Sequence, residues 1–166
     1  METAIYLLLL LGLMGAFDTL YYHEWKARLP RDPKYRTELF LHALRDFAYS
    51  LVFFALGFTR WHGTFAYLLF AVLCFEIAVT LLDFLEEDRI RPLFKGERIA
   101  HTLMAIVYGA FLANLLPEML QWRSLSTEIV WISPDWKAIV LGLFAAGVFL
   151  SGVRDLHAAW RMPYRV

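Results

Sequence analysis

Long runs of apolar residues, separated by short charged segments, dominate the chain. The hydrocarbon core of a membrane is roughly 30 Å thick and takes about 20 residues of α-helix. Five runs qualify or nearly do, and they predict membrane-spanning helices over residues 4–22, 39–58, 65–84, 99–120 and 138–153. Transmembrane β-strands would instead carry apolar residues at alternate positions. The pattern therefore predicts an all-α integral membrane protein in which residues 1–166 form one transmembrane domain.

The last connection also carries helix-start signals. Ser133 and Pro134 precede the fifth run, which predicts Ser133 as the N-cap and Pro134 as the first helical residue. With flanking turns, the fifth helix is expected over about residues 134–159. Residues 121–133 mix polar and apolar types, which favours a segment lying along the membrane interface.

Composition narrows the class of protein further. The chain is 60% hydrophobic and 19% charged, whereas soluble domains average about 45–50% apolar and about 25% charged residues. The formal net charge is zero, which removes the general electrostatic argument for nucleic-acid binding, since that needs a basic surface. No nucleic-acid partner is expected. Cys74 is the single cysteine, which excludes an intrachain disulfide and a thiolate metal cage. The expected partner is the lipid bilayer, and a protein partner in the membrane stays open.

Basic residues predict the orientation in the membrane. Twelve of the sixteen Lys and Arg residues lie after the first run, after the third run or near the C-terminus, and a thirteenth, Arg45, lies just inside the second run on the same side. Cytoplasmic loops carry the excess of positive charge in membrane proteins. We therefore expect the N-terminus outside and the C-terminus in the cytoplasm.

An internal repeat relates the second run to the fourth. Five residue types recur at identical spacing, first as Pro33, Glu38, His42, Leu44 and Tyr49, then as Pro92, Glu97, His101, Leu103 and Tyr108. Self-similarity of this kind indicates a duplicated unit. It predicts a helical hairpin over about residues 4–60 that is repeated over about 64–120. The four helices would form a pseudo-two-fold bundle about an axis along the membrane normal, with the fifth helix as an addition.

Ionisable residues gather in the half of the spans that is expected to be cytoplasmic. Residues four apart share a helix face, so Glu38, His42 and Asp46 form one stripe, and Glu97 and His101 form another. A charged side chain inside a membrane costs a few kcal/mol and usually faces the bundle interior. The stripes are therefore expected to meet inside the bundle, together with acids of the first and third spans, which are Asp18, Glu76 and Asp83.

This set of carboxylate and histidine residues on four spans resembles the ligand set of the ferritin-like dimetal-carboxylate four-helix bundles. By that resemblance, Asp18 and Glu76 take the single-carboxylate positions, with Asp83 as the alternative to Glu76. The positions at which one helix supplies both a glutamate and a histidine are taken by Glu38 with His42 and by Glu97 with His101. The chain departs from the pattern in one respect, because it has Glu-x3-His where those bundles have Glu-x2-His.

Carboxylate and imidazole ligands without thiolate suit two divalent ions of Fe, Mn or Zn. Such ions would neutralise acids that are otherwise costly in lipid. The expected second shell consists of two hydroxyl donors and two charged neighbours, namely Tyr49, Tyr108, Arg45 and Asp46.

Three functions stay open on these residues. The first is a dimetal protein, with oxidoreductase chemistry on a lipid or quinone at the cytoplasmic side. The second is an electron-transfer protein holding haem b between His42 and His101. The third is an ion pathway or a non-enzymatic subunit that binds a partner through its polar stripe.

Other ionisable residues are expected to have structural roles. His23 is placed at the level of the lipid headgroups, and residues 86–88 are interpreted as a solvated helix end.

The stretch from about residue 61 to 122 also resembles uncharacterised bacterial inner-membrane proteins, most clearly over residues 82–89 and 97–103. This resemblance implies a bacterial inner-membrane location and no particular activity.

Overall fold

Five long helices build the protein in a computed structural model that describes residues 1–163. The helices are α1 (Glu2–Asp18), α2 (Arg36–Phe58), α3 (Thr64–Ile90), α4 (Lys95–Trp122) and α5 (Trp136–Arg161). All five are long and apolar enough to cross a membrane, with α1 counted together with its continuation. The prediction of a helical chain with five potential spans is confirmed. Arg165, one of the cations counted above, lies outside the described residues.

The first span does not end where its hydrophobic run ends. α1 passes without a break into a π-helix, Thr19–Ala27, which two 3₁₀ turns follow, Leu29–Arg31 and Pro33–Tyr35. In a π-helix the backbone hydrogen bonds join residues five apart, and π-helical turns often occur at functional sites. The π-helix ends at Ala27, and the next residue, Arg28, has a left-handed backbone with φ 53°. Hydropathy carries no signal for this change of helix type.

Two short strands depart from the all-α prediction. β1 (Thr59–Trp61) pairs antiparallel with β2 (Ile129–Trp131) and joins the α2–α3 connection to the α4–α5 connection. Both connections lie at the same end of the bundle, so the backbone N–H and C=O groups of one can form hydrogen bonds with those of the other. Gly63, with φ 57°, is required beside them because a Cβ there would lie 2.3 Å from Thr127 Oγ1.

The start of α5 corrects a second prediction. Asp135, not Ser133, is the N-cap, and its Oδ1 accepts a hydrogen bond of 3.0 Å from the backbone N–H of Ala138. The helix begins at Trp136, so Pro134 precedes it. An aspartate directly before the first turn reaches the free N–H groups better than a serine two residues earlier.

The helices pack in a crossed pattern. α1 packs against α4, and α2 against α3, whereas α3 and α4 make few contacts with each other. α5 lies along α2 and also contacts α1. Each helix contributes at least one fully buried side chain to a common apolar core, for example, from α1 to α5, Leu8, Leu56, Leu69, Phe111 and Leu141. We call the end where α1 leads to α2 and α3 leads to α4 the charged end.

Candidate metal centre

A cluster of ionisable side chains is buried at the charged end. The π-helix and the last turns of α3 meet the first turns of α2 and α4 there. Charged groups are rarely buried to this extent unless they are paired or bind metal. The members, all at most 7% exposed, are Asp18, His23, Glu38, His42, Asp83, Glu87, Arg91, Glu97 and His101.

Within this cluster, four side chains form the first ligand group, which consists of His23, Glu87, Glu97 and His101. Each offers a nitrogen or oxygen atom within 4.8 Å of the others. His101 Nδ1 lies 3.5 Å from Glu87 Oε2, and His23 Nε2 lies 3.6 Å from Glu97 Oε1. Asp18 Oδ2 adds a further oxygen, 3.1 Å from His101 Nε2 and 3.3 Å from His23 Nε2.

The second ligand group consists of Glu38, His42 and Glu87. His42 Nε2 lies 3.2 Å from Asp83 Oδ2 and 4.0 Å from Glu87 Oε1. Glu87 therefore belongs to both groups. The rings of His23 and His42 stack with centroids 4.5 Å apart, so the two groups are adjacent.

Some separations in the cluster match those between two ligands of a single ion. Metal–nitrogen and metal–oxygen bonds of about 2.1 Å place neighbouring ligand atoms about 3.0–3.4 Å apart, for angles of about 90–110°. The distances from Asp18 to His101 and His23, 3.1 and 3.3 Å, and from Asp83 to His42, 3.2 Å, lie in this interval. The pairs within the two ligand groups lie 3.5, 3.6 and 4.0 Å apart, so they would have to move closer together to share an ion.

Several buried ligand atoms have no hydrogen-bond partner in the described part of the chain. They are His23 Nε2, His42 Nε2, Glu38 Oε2 and both carboxylate oxygens of Glu87. Their near neighbours lie at short distance but without the alignment that a hydrogen bond needs. Buried polar atoms are nearly always satisfied in folded proteins, and a cation would satisfy this whole set at once.

The cluster also carries an excess of negative charge. Five carboxylates, those of Asp18, Glu38, Asp83, Glu87 and Glu97, face the guanidinium groups of Arg45 and Arg91. With neutral imidazoles the formal sum is −3, and two divalent ions would bring it to +1. Burial of uncompensated charge is strongly unfavourable, so the cluster needs cations or bound protons.

Arg91 joins the two repeated glutamates. It donates to Glu97 at 2.6 and 2.8 Å and to Glu38 at 3.2 Å. Burial alone would lower the pKa of Arg91, but its hydrogen bonds to Glu97 and the negative charge of Glu38 hold that pKa above its usual value. The guanidinium therefore stays charged. The backbone N–H of Phe94 also donates to Glu97, at 3.2 Å, so Glu97 both stabilises the start of α4 and faces the cluster.

Of the seven predicted ligands, the structure brings six together in the cluster. Glu76 is the exception, because it contacts none of the cluster histidines and accepts a hydrogen bond of 2.8 Å from the Thr80 hydroxyl. Asp18 and Asp83 are in the cluster through their contacts with histidines, although neither belongs to a ligand group. Asp83 contacts His42 in its place. These two acids lie seven residues apart on α3. Because they lie at different depths in the bundle, their side chains have different neighbours.

Of the four residues predicted to surround the ligands, one contacts the cluster and three line a neighbouring cavity. Arg45 Nη1 donates to Asp83 Oδ2 at 2.7 Å, which places it directly on a cluster member. Tyr49 and Tyr108 contact each other edge to face, with ring centroids 6.2 Å apart, and share a cavity with Glu76. Asp46 lines this cavity too and packs against Gly152 of α5.

Two cluster residues were not among the predicted ligands. His23 is 2% exposed and stacks on His42, so its side chain packs inside the bundle. Glu87 is fully buried, so residues 86–88 are not uniformly solvated, although the side chain of Asp88 is 58% exposed. One signal for Glu87 was present, because it follows Asp83 by four residues on one helix face. His23 had no such signal, since only a π-helix places residues five apart on one face.

Comparisons of the chain with protein-family models, curated proteins and solved structures gave no match.

Proposed function

We propose that the protein is a membrane-embedded dimetal protein that holds two divalent ions of Fe, Mn or Zn at the charged end. One observation carries the proposal: Glu87 is shared by two adjacent ligand groups, and its oxygens, His23 Nε2 and His42 Nε2 are buried without partners among the described residues. Glu87 would bridge the ions. The set of carboxylate and imidazole donors without thiolate favours these metals over Cu(I) or an Fe–S cluster.

The arrangement of contacts supports a duplicated hairpin. Asp18 of α1 contacts His101 of α4, just as Asp83 of α3 contacts His42 of α2. In this correspondence Asp83, not Glu76, is the counterpart of Asp18. His23, five residues after Asp18, corresponds to Glu87, four residues after Asp83, and the π-helix accounts for the extra residue. The two halves would thus supply similar ligands to two neighbouring ions.

The enzymatic form of this proposal is a metal-dependent oxidoreductase that acts on a lipid or quinone. Fe and Mn change oxidation state, whereas Zn does not, so metal identity decides between redox chemistry and a structural role. The excess of cations at the charged end supports a site on the cytoplasmic side of the membrane, with the N-terminus outside. The location in a bacterial inner membrane is proposed from the sequence resemblance alone.

The two alternatives receive less support. A haem between His42 and His101 would share its space with His23, whose ring stacks on His42 and lies 6.3 Å from His101, centroid to centroid. A Soret band in the purified protein would favour haem. An ion pathway lacks relays, because residues 47–58, 65–75 and 102–117 contain no acidic residue, basic residue or histidine. Ion flux in proteoliposomes would favour a pathway.

Elemental analysis of protein purified without added metal tests the proposal. We expect about two ions per chain in the wild type and fewer than one in Glu87→Gln, because the variant loses the shared ligand. Asp88→Asn is the matched control, since this neighbouring acid is exposed and pairs with Arg98. It should keep the wild-type metal content.

Thermal unfolding gives an independent measurement on the same variants. Without a metal, Glu87→Gln would remove an uncompensated buried charge and leave stability unchanged or higher. With metal bound, the variant should unfold at lower temperature, and chelation should lower the unfolding temperature of the wild type. Fewer than one ion per chain, together with stability that chelation does not change, would contradict the proposal.

A further inference from the structure

A cavity of about 240 Å³ lies beside the candidate metal centre, toward the middle of the bundle. Most of its wall is apolar and comes from several helices, including Leu11, Phe53, Met104 and Val148. At the charged end the wall contains Asp18 and His101, which are cluster members. The cavity therefore connects an apolar interior directly to the candidate metal ligands.

The mouth of the cavity faces the expected position of the lipid. Ala16, Leu81 and Ala105 line the cavity and are also exposed at the surface of the protein. They belong to α1, α3 and α4, so the opening lies between α3 on one side and the α1–α4 pair on the other. It can form there because α3 and α4 make few contacts, whereas α5 packs against both α1 and α2 on another side.

The polar side of the wall has unmet hydrogen-bonding capacity. Glu76 is 2% exposed, and its Oε2 has no hydrogen-bond partner among residues 1–163. The hydroxyl of Tyr108 is likewise buried and makes no well-aligned hydrogen bond within the described chain, although it lies close enough to Glu76 to interact with it. Buried polar groups without good hydrogen bonds are unfavourable. A hydroxyl bound between Glu76 and Tyr108 would satisfy both.

We infer that the cavity binds a lipid-soluble molecule whose head carries a hydroxyl group, which can donate to the Glu76 carboxylate and accept from the Tyr108 hydroxyl. The head would lie between Glu76 and Tyr108, directed toward Asp18 and His101, and the apolar part would leave through the mouth. Pockets that enclose a whole small ligand usually measure about 300–1,000 Å³. The smaller volume here fits the head and the first part of a longer molecule. Binding itself does not require the metal, but the chemistry done on the bound molecule rests on the proposed function.

Two chemical sources share this head and tail, namely hydroquinones and long-chain alcohols. We would incubate the full-length protein in lipid nanodiscs with a photoactivatable short-tailed hydroquinone or, separately, a photoactivatable fatty alcohol. Labelled peptides would be mapped by mass spectrometry. We expect saturable labelling near residues 76–84 and 104–108 by one of the probes, and the probe that labels identifies the source.

Two neighbouring substitutions make the test specific. Ala105→Trp fills the mouth and should weaken labelling at least tenfold. Ile106→Trp is the control, because Ile106 is 64% exposed and is not part of the cavity wall, and it should label like the wild type. Glu76→Gln should also weaken labelling while leaving metal content unchanged.

The outcomes separate this inference from the proposed metal centre. Absence of saturable labelling by both probes, or equal labelling of Ala105→Trp and the wild type, would overturn the cavity inference even if two ions are found. Loss of metal in Glu76→Gln would also overturn it, since Glu76 would then be a ligand. If protein without bound metal shows saturable labelling that Ala105→Trp blocks, the result would support the cavity inference and contradict the proposed metal centre.

Discussion

At the scale of single residues, His23 shows how one side chain can complete a site. Its ring stacks on His42, and its Nε2 lies 3.3 Å from Asp18 and 3.6 Å from Glu97. The first ligand group contains His23, whereas the second does not. The two candidate ions should therefore differ in their dependence on this imidazole.

We predict that His23→Asn loses one of the two ions. The first ligand group would keep Glu87, Glu97 and His101 but lose a nitrogen ligand, while the second group would stay intact. Elemental analysis should give about one ion per chain. His157→Asn, which changes an exposed histidine of α5, should retain about two. Wild-type metal content in His23→Asn would show that His23 is not a ligand.

At the scale of secondary structure elements, the π-helix determines which side chains of the first span face the cluster. In a regular α-helix, residues four apart share a face, as Asp83 and Glu87 do on α3. Asp18, the last residue of α1, and His23 of the π-helix share a face although they are five residues apart. A change of helix type within one span thus brings two candidate ligands together without a repeated sequence motif.

The contact between α2 and α5 gives the element-scale prediction. A Cβ at Gly152 would lie 3.1 Å from Asp46 Cβ and 3.2 Å from the carbonyl oxygen of Ala43. Gly152→Leu should therefore push α5 away from α2 and destabilise the protein by about 1–3 kcal/mol, as overpacking does. The expected decrease in melting temperature is about 2–4 °C for each kcal/mol.

Circular dichroism during heating in detergent micelles measures this effect. The matched control is Gly147→Leu, because a Cβ at Gly147 of the same helix would have no neighbour within 4 Å. The control should unfold at the wild-type temperature or slightly above, since glycine is a poor helix former. Equal melting temperatures for the two variants would show that α2 and α5 do not pack as described.

At the scale of the whole molecule, α5 makes the bundle asymmetric. α1 packs against α4 and α2 against α3, whereas α5 packs against α2, α1 and the 3₁₀ turn Leu29–Arg31. Among residues 1–163 no further helix covers the gap between α3 and α4, and the cavity opens beside it. An added helix on one side would thus leave a lateral route to the candidate centre on the other.

The charge distribution gives the whole-molecule prediction. Since 13 of 16 Lys and Arg residues lie at the charged end or near the C-terminus, the C-terminus should be cytoplasmic. Green fluorescent protein fused to the C-terminus should fluoresce, and alkaline phosphatase fused after residue 125, between α4 and β2, should be active. Each reporter at the other position provides the control and should be inactive. The reverse pattern would place the charged end outside.

Much of the fold could be predicted because membrane insertion depends on local composition. Each hydrophobic run contains enough apolar residues to form a span by itself, so five helices follow directly from the sequence. Helix ends were less predictable. α3 continues through Glu87 to Ile90, six residues beyond its predicted end at residue 84, because buried partners allow charged residues to remain in the helix.

Part of the candidate site could be predicted because some of its residues recur at a fixed spacing within single helices. The recurrence of glutamate and histidine four residues apart identified Glu38, His42, Glu97 and His101 as a group, and the structure places them in one cluster. The choice between Glu76 and Asp83 could not be made, because it depends on how deep each side chain lies against α2. Arg91 also had no local signal, since its two glutamate partners lie on different helices.

By itself the sequence determined the number of helices, their apolar surfaces and the gathering of ionisable residues at one end, since these properties follow from runs and spacings within single segments. Only the tertiary structure decided that Glu87 belongs to both ligand groups, that His23 is buried beside His42, and that a cavity opens between α3 and the α1–α4 pair. The physical reason is that these features arise from contacts between helices distant in the chain. Such contacts depend on crossed packing and on a change of helix type, which leave no local pattern.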